Sequence, residues 1–323
     1  MTIMQIKNLT ISFKIEDEFY AAVDGVSIDI RSNEVFAIVG ESGSGKSALA
    51  LSITNLLHKS DAKIEGRIIF NGRDLLTLSD KELNAVRGKD ISIIFQDPHN
   101  AFNPLIAIGR QIEEGLFYHT NLDKKARRQR VLEFLKLVGL DEATYHRLPH
   151  ELSGGMLQRA MIALALICDP AILIADEPTT ALDVSLQAAI LDLLRKIQRD
   201  RGLSIILITH DFGVVAEMAH RVAVMYAGQI VEIGSVHDIL KTPRHPYTRS
   251  LLRAMPNADT TRLYTINGVV PSLKDLPKKG CRFAPRMPHI FGGAHEENPI
   301  YHKISDGHYV LCSCYKNFDF GEN

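Results

Sequence analysis

A glycine-rich segment has the residue types and the spacing that bind phosphate. Residues 40–47 read Gly-Glu-Ser-Gly-Ser-Gly-Lys-Ser and fit the pattern G-x-x-x-x-G-K-[ST]. Glycines let backbone N–H groups converge on a phosphate, and the N-terminus of a following helix adds partial positive charge. Lys46 can reach the β- and γ-phosphates, and Ser47 can hold Mg²⁺. The predicted nucleotide-binding residues are Gly40, Glu41, Ser42, Gly43, Ser44, Gly45, Lys46, Ser47 and Ala48.

Two adjacent carboxylates follow an apolar run later in the chain. Asp176 suits the coordination shell of Mg²⁺, and Glu177, one residue further on, suits polarising an attacking water. An acidic pair after a strand is by itself often a helix cap. The phosphate-binding segment alone is equally compatible with a kinase, a GTPase or a helicase. Together, the two features favour hydrolysis of a nucleoside triphosphate.

Three apolar runs place these residues at strand ends. Residues 35–39, 171–175 and 204–209 are rich in apolar side chains throughout, which is typical of parallel strands buried on both faces. Helical patterns follow over 48–57 and 186–201. This alternation of strands and helices predicts an α/β fold with a parallel sheet covered by helices.

The other segments have different patterns. Residues 1–35 and 66–72 alternate apolar and polar side chains, which predicts antiparallel strands, and residues 222–226 and 229–233 predict a hairpin. Residues 97–150 are rich in charge and in helix formers and predict a helical insertion. From Pro243 onward the chain is rich in Pro, Gly and His, which indicates a small appended domain.

Four further motifs follow in a fixed order: Gln96 in Ile-Ile-Phe-Gln-Asp-Pro, Leu-Ser-Gly-Gly-Met at 152–156 before a helical pattern, Ala-Leu-Asp at 181–183, and His210 after a strand. A serine and two glycines before a helix are by themselves only a flexible cap, and a histidine at a strand end is usually a surface residue. In this order, beside the phosphate-binding segment, the motifs resemble those of the ATP-binding-cassette (ABC) ATPases, whose signature reads LSGGQ. Met156 departs from that signature, as is common in peptide-permease members of the family.

The resemblance implies a fold and a set of roles. It implies a P-loop NTPase (RecA-like) α/β core, an antiparallel β subdomain, a helical subdomain at about 97–160 and a small C-terminal extension, with ATP and Mg²⁺ as ligands. The implied residues are Glu177, His210 and Gln96 for catalysis, Ser47, Gln96 and Asp176 for Mg²⁺, Ser153, Gly154 and Gly155 for the nucleotide of a second cassette, Asp183 for linking the two sites, and Phe13 for stacking on adenine, with Tyr20 as the alternative.

The C-terminal part resembles a narrower group. Residues 245–252 (His-Pro-Tyr-Thr-Arg-Ser-Leu-Leu), 271–273 (Pro-Ser-Leu) and 280–286 (Gly-Cys-Arg-Phe-Ala-Pro-Arg) are similar to the tail of the oligopeptide and dipeptide permease ATPases. The resemblance implies a cassette over 1–235, an extension over 236–323 and a role in peptide import. Nickel importers have similar tails, so a metal-chelate cargo is the alternative.

The family also implies a set of partners. These are a second cassette, which the family suggests is a paralogue, two transmembrane permease subunits, and an extracellular peptide-binding protein that acts indirectly. The formal net charge of −1 gives no indication of nucleic-acid binding. We expect neither a signal peptide nor a membrane-spanning segment, and therefore a peripheral protein on the cytoplasmic face of the cell membrane.

The tail cysteines depart from the pattern of many relatives. Those relatives carry four cysteines that can bind an iron–sulfur cluster, whereas here Cys281 and Cys312 occupy two of the positions and Met287 and Ala294 the others. We therefore expect no four-cysteine cluster. The remaining interpretations are a zinc site formed by Cys281, Cys312, Cys314 and a tail histidine, or a small domain held by ordinary packing.

Two functions of other classes compete with transport. A soluble cassette protein of translation or DNA repair typically carries two cassettes or a long coiled-coil insertion, and neither is found in this sequence. A regulatory module that binds nucleotide without hydrolysis is disfavoured by the presence of Glu177 and His210.

Overall fold

A computed structural model describes residues 1–58, 60–179, 182–255, 264–277, 279–287 and 295–317. The chain forms two compact units that alternate along the sequence: unit 1 contains Met1–Met4, Ile30–Val35 and Phe70–Ile208, and unit 2 contains Gln5–Asp29, Phe36–Ile69 and Thr209–Asn323. The division at residue 235 stays a prediction. Two predicted positions, Ala181 and Ala294, lie outside the described residues.

The strands of the described residues are β1 (Thr2–Ile15), β2 (Glu18–Arg31), β3 (Val35–Val39), β4 (Ala62–Phe70), β5 (Arg73–Asp74), β6 (Ile91–Ile94), β7 (Ile172–Asp176), β8 (Ser204–Thr209), β9 (Arg221–Tyr226), β10 (Gln229–Ser235), β11 (Tyr301–Ser305) and β12 (His308–Leu311). The α-helices are α1 (Lys46–Ile53), α2 (Asp80–Val86), α3 (Pro98–Ala101), α4 (Ile108–His119), α5 (Lys124–Leu137), α6 (Gly154–Leu166), α7 (Val184–Arg201), α8 (Phe212–Met218), α9 (Val236–Lys241) and α10 (Pro246–Arg253).

Unit 1 contains a parallel array of three buried strands. Strand β6 pairs with β7, with Ile94 opposite Ala175, and β7 pairs with β8, with Asp176 opposite Ile208. Every residue of β7 and β8 is buried, which explains why both runs are apolar rather than alternating. Because parallel strands end at the same edge, the residues that follow β6 and β7 lie close together.

The helices of unit 1 include the predicted helical insertion. Helices α4, α5 and α6 contact one another. The mostly buried carboxylate of Glu113 links α4 to α5 and to Tyr145. Glu113 of α4 accepts a hydrogen bond from the Tyr145 hydroxyl at 2.6 Å and one from Nε of Arg127 in α5 at 3.1 Å. This network orients α4 and α5 and the Tyr145 ring.

Unit 2 contains the strand that leads into the phosphate-binding segment. Strand β3 is parallel to β9, and β9 and β10 form the predicted antiparallel hairpin. The C-terminal extension adds β12 antiparallel to β10, and β11 antiparallel to β12. The sequence analysis did not predict these two added strands, since their Pro-, Gly- and His-rich surroundings do not show a clear strand period.

Helix α1 is shorter than predicted. The apolar pattern suggested a helix over 48–57, but α1 ends at Ile53. Asn55 adopts a left-handed φ of 49°, and the N–H of Leu56 donates to the carbonyl oxygen of Leu51 at 2.9 Å. A residue in this conformation ends an α-helix, and asparagine tolerates it better than most residues. The prediction of the C-terminal end was therefore wrong.

Two glycines of α4 provide a matched test of packing in unit 1. A Cβ on Gly109 would lie 2.2 Å from Cδ2 of Tyr145, whereas a Cβ on Gly115 would lie 3.4 Å from Cγ2 of Ile167, an ordinary contact. We expect Gly109→Ala to lower the free energy of unfolding by about 1–3 kcal/mol through overpacking. Gly115→Ala should leave it unchanged or raise it by up to about 1 kcal/mol, because alanine favours helix.

The measurement is the urea midpoint of each full-length variant at neutral pH. Equal midpoints for Gly109→Ala and Gly115→Ala would show that Tyr145 does not set the distance between α4 and its surroundings.

Candidate functional site

The phosphate-binding segment of unit 2 forms a loop between β3 and α1. Gly45 caps the N-terminus of α1 with a left-handed φ of 101°, and a Cβ there would lie 2.5 Å from the carbonyl oxygen of Ala22. Only glycine satisfies both conditions. Ser42, Gly43 and Ser47 are exposed. The outer rim of the loop and the first turn of α1 are therefore accessible, as the predicted phosphate site requires.

The Lys46 side chain is held over this loop. It is only 5% exposed, and its Nζ donates to the carbonyl oxygens of Gly40 at 2.8 Å and Glu41 at 2.9 Å. A buried ammonium must be hydrogen-bonded to be tolerated. These carbonyl contacts keep the positive charge beside the loop, as the sequence motif requires.

Two residues of the C-terminal extension support the same loop. The N–H of Glu41 donates to the Tyr247 hydroxyl at 2.9 Å. Arg286 donates to both carboxylate oxygens of Glu41, at 2.7 and 3.2 Å, and to the carbonyl oxygens of Asn267 and Gly268, at 2.7 and 3.1 Å. The sequence analysis missed these supports. Their signal was the tail motifs that contain Tyr247 and Arg286, to which no structural role had been given.

In unit 1 the structure brings two predicted catalytic residues together. The Gln96 side-chain amide donates to Oε2 of Glu177 at 3.1 Å. Glu177 has a left-handed φ of 47°, and its N–H donates to the carbonyl oxygen of Ile208 at 2.9 Å. The left-handed conformation destabilises a residue other than glycine by about 1 kcal/mol, and residues in such conformations cluster at functional sites. The hydrogen bond to Ile208 helps to hold Glu177 in this conformation at the end of β7.

Asp176 ends β7 and is only 7% exposed. Its backbone is held by the parallel pairing with β8 described above. Buried carboxylates are tolerated when they pair with a cation or with donors, and oxygen ligands are those that Mg²⁺ prefers. The position therefore fits the predicted role of Asp176 as a magnesium ligand.

The signature segment forms the exposed N-terminus of α6. Ser153 caps the helix, and its Oγ accepts a hydrogen bond from the N–H of Met156 at 3.4 Å. Ser153 and Gly154 are exposed, whereas a Cβ on Gly155 would lie 2.1 Å from Cδ2 of Leu186 in α7. Gly155 thus permits α7 to pack closely, and the serine and first glycine remain accessible.

Gln158 is a further residue that the sequence analysis missed. Its side chain is 3% exposed, and its amide donates to the carbonyl oxygen of Pro178 at 2.7 Å. It therefore positions the segment directly after Glu177. The available signal was an amide side chain in a helix whose neighbouring residues are apolar.

One cavity of unit 1 contains these groups. It has a volume of about 350 Å³ and is lined by residues of the Gln96 loop, the signature helix and the end of β7, including Gln96, Pro98, Gly154, Gln158, Glu177 and Leu182. The amide and carboxylate that the sequence assigns to catalysis therefore open onto the same space as the helix tip.

The remaining predicted residues have simpler surroundings. Asp183 caps α7, and hydrogen bonds from the Leu186 N–H and the Ser185 hydroxyl lower the pKa of its carboxyl group. His210 is exposed directly after β8. Phe13 lies partly exposed on β1, and the Tyr20 hydroxyl donates to Glu18 at 2.7 Å. The choice between Phe13 and Tyr20 for adenine stacking stays a prediction.

A glycine-rich loop between a buried strand and a helix, together with an acidic strand end beside a glutamine, defines a P-loop nucleoside triphosphatase. Comparison with known proteins narrows this class. The ABC transporter family matches residues 23–180, and the oligopeptide/dipeptide transporter C-terminal region matches residues 231–291. A dimeric ATP-binding cassette in a post-hydrolysis state, bound to ADP and Pi, superposes with a TM-score of 0.66 at 31% identity, over 72% of this chain and 98% of that chain.

Two relatives that match this chain over nearly their whole length support both family matches. The dipeptide transport ATP-binding protein DppD of Bacillus subtilis is 49% identical over 96% of this chain and 94% of its own length. DppD of Escherichia coli is 44% identical over 97% of this chain and 96% of its own length. The chain therefore belongs to the family of dipeptide and oligopeptide ABC transporter ATP-binding proteins, and its P-loop α/β fold is that of an ABC ATPase.

The position of Lys46 leads to a test of the phosphate-binding loop. Lys46→Ala should weaken ATP binding about 10- to 100-fold, because each charge-assisted hydrogen bond contributes about 1.5–3 kcal/mol. The measurement is titration calorimetry with ATP. Lys63→Ala is the matched control, since Lys63 pairs with Glu65 on an exposed part of β4 in the same unit. Unchanged affinity in Lys46→Ala would remove Lys46 from the site.

Proposed function

We propose that this chain binds and hydrolyses ATP and so powers the import of dipeptides or oligopeptides across the cytoplasmic membrane. The observation that carries the peptide cargo is the tail match at residues 231–291, because the catalytic motifs are common to ABC ATPases of every cargo. The relatives named above are dipeptide transport proteins, and this chain matches them over nearly their whole length. They favour a peptide over a metal chelate as the transported compound.

ATP binding is assigned to the loop of unit 2. Lys46 would exchange its carbonyl contacts for phosphate oxygens, and the α1 N-terminus would donate N–H groups to the same phosphates. The oxygens of Ser47, Asp176 and Gln96 are the donors that we assign to Mg²⁺. When it is bound, the ion neutralises charge on the phosphates.

Hydrolysis is assigned to residues at the strand ends. Glu177 would hold the attacking water, and its hydrogen bond with Gln96 supports this role because the amide fixes the orientation of the carboxylate. His210 would contact the γ-phosphate and stabilise the charge that develops there. Both residues would act by orienting and stabilising the reacting groups, and neither would change chemically beyond a proton transfer.

A second cassette, which we expect to be a paralogue, completes each ATP site. Ser153 and Gly154 would contact the γ-phosphate bound by the partner, and the exposure of this helix tip supports that assignment. Asp183 would link the two sites. The ATP-binding cassette named above is dimeric and bound to ADP and Pi, which supports a dimer of cassettes. Loss of the γ-phosphate contacts on hydrolysis would then let the dimer open.

The assigned role of Glu177 has a direct test. Glu177→Gln should retain ATP affinity, because the amide keeps the size of the side chain. It should lower turnover by at least about 100-fold, because a general base contributes roughly that much. Phosphate release by the assembled transporter is the measurement. Glu142→Gln is the matched control, since Glu142 lies on a short turn of unit 1 and is not among the residues that line the cavity. Turnover at the wild-type rate would refute the assignment.

The loop that follows α3, at residues 102–107, is our candidate for docking the permease. Leu105 is 86% exposed and Ile106 is 39% exposed. Gln111 of α4 holds this loop by donating to the carbonyl oxygens of Asn103 at 3.0 Å and Ile106 at 2.7 Å. An apolar surface on a rigid loop suits a partner helix. Among the described residues, no helix is long and apolar enough to span a bilayer. Docking would hold the chain at the cytoplasmic face, while an extracellular binding protein delivers the peptide.

The docking assignment predicts a loss of assembly. Leu105→Glu should abolish co-purification with the co-expressed permease subunits and leave ATP binding intact, because a carboxylate cannot be buried in an apolar contact at low cost. Val269→Glu is the control, since Val269 is 82% exposed in the C-terminal extension of unit 2. Equal recovery of the permeases with both variants would contradict the proposed docking site.

A further inference from the structure

The C-terminal extension gathers four metal-ligating side chains at one point. Donor atoms of Cys281, His295, Cys312 and Cys314 all lie within 4.8 Å of one another. The three cysteines are buried and none forms a disulfide. They come from three separate segments of unit 2, so their convergence is a property of the fold rather than of a short sequence motif.

His295 supplies a second, independent observation. Both of its ring nitrogens are buried, and neither has a hydrogen-bond partner among the described residues. A buried polar group without a hydrogen-bond partner destabilises the folded state. A nitrogen of His295 is also among the mutually close donors of the cluster. An electron-pair acceptor at the cluster would satisfy this nitrogen.

The backbone around the cluster is tied together by Glu296. Its carboxylate accepts hydrogen bonds from the N–H of Ile300 at 3.0 Å and of Ser313 at 3.2 Å, and it contacts His302 at 2.6 Å. The N–H of Gly280 donates to the carbonyl oxygen of Glu297 at 2.8 Å. These hydrogen bonds therefore hold the segments that carry the four donors close together, and the donors themselves take no part in them.

We infer that Cys281, His295, Cys312 and Cys314 bind one Zn²⁺ ion in a tetrahedral Cys₃His site. Zinc–sulfur bonds of about 2.3 Å and zinc–nitrogen bonds of about 2.1 Å place the donors of such a site roughly 3.5–3.8 Å apart. The observed spacing needs only a small contraction to reach that geometry. Four protein ligands leave no open position, so the ion is structural rather than catalytic.

A four-cysteine iron–sulfur cluster does not fit these residues. Met287, at one of the positions where a cysteine is expected, is 7% exposed and packs in the apolar core with Phe283. Its thioether cannot replace a thiolate. In such a cluster the cysteines also bind different iron atoms and are spread around it, whereas the donors here lie close enough to share one ion.

The ion would fix the segment that supports the phosphate-binding loop. Cys281 begins a short turn that contains Phe283 and ends at Arg286. The Phe283 ring lies 5.2 Å from those of Tyr226 and Tyr247, and Arg286 pairs with Glu41. A zinc ligand at the start of this turn therefore stabilises contacts that reach the loop.

The test is the metal content of the full-length chain, purified anaerobically from medium containing zinc and iron and without chelators. We expect about one zinc per chain, which is the stoichiometry of a closed four-ligand site. Cys314→Ser and His295→Ala should each lose most of it. Cys168→Ser is the matched control and should retain it, since Cys168 lies in unit 1, where burial raises the pKa of its thiol to about 11.

A wild-type chain that contains iron and acid-labile sulfide, or no bound metal, would overturn the inference. Equal zinc in Cys314→Ser and wild type would do the same. A second measurement does not depend on how the variants fold. Wild-type chain loaded with Co²⁺ should show the intense visible bands of a tetrahedral ion with thiolate charge transfer, and a weak octahedral spectrum would exclude the proposed ligands.

Discussion

The buried ammonium of Lys46 is the constraint on which the shape of the loop between β3 and α1 depends. Removing a charge from water is expensive unless hydrogen bonds replace its hydration. The carbonyl oxygens of Gly40 and Glu41 supply them, and to do so the loop must curl around the side chain. The loop therefore already has the curvature that the proposed phosphate contact requires, and binding would replace neutral acceptors by charged ones. A hydrogen bond between two charged groups is stronger than one from an ammonium to a neutral carbonyl, so the exchange would favour the nucleotide.

The C-terminal extension also stabilises the shape of the loop, because two of its residues form hydrogen bonds with Glu41. Glu41 is bound through its backbone by Tyr247 and through its carboxylate by Arg286. The Arg286 side chain is 5% exposed and the Glu41 side chain 29% exposed, so this ion pair is less screened by water than a surface pair. The extension, which matches the oligopeptide/dipeptide transporter C-terminal region, thus supports the predicted phosphate-binding loop.

The sequence predicted those parts of the fold and site that depend on local pattern. Strands β3, β7 and β8 were evident as continuous apolar runs, because burial on both faces removes alternation. The hairpin of β9 and β10 was evident from its period and turn. Helix α1 was predicted too long because the left-handed Asn55 interrupts an apolar run that otherwise continues. Arg286, Tyr247 and Gln158 could not be assigned roles, since each acts on a residue far away in sequence.

The two kinds of chemistry in this chain make different demands on the fold. The hydrolytic role that we propose for Glu177 and Gln96 requires an open cavity, which both residues line, so that water and phosphate can enter and leave. Glu177 holds its place there with a left-handed φ of 47°. The cysteine–histidine cluster is the opposite case, because its thiols are buried and its four donors would close around an ion. A closed site exchanges nothing and can contribute only stability. Substitution of a proposed zinc ligand would therefore act on ATP hydrolysis only indirectly, through the contacts by which the extension supports the loop at Glu41.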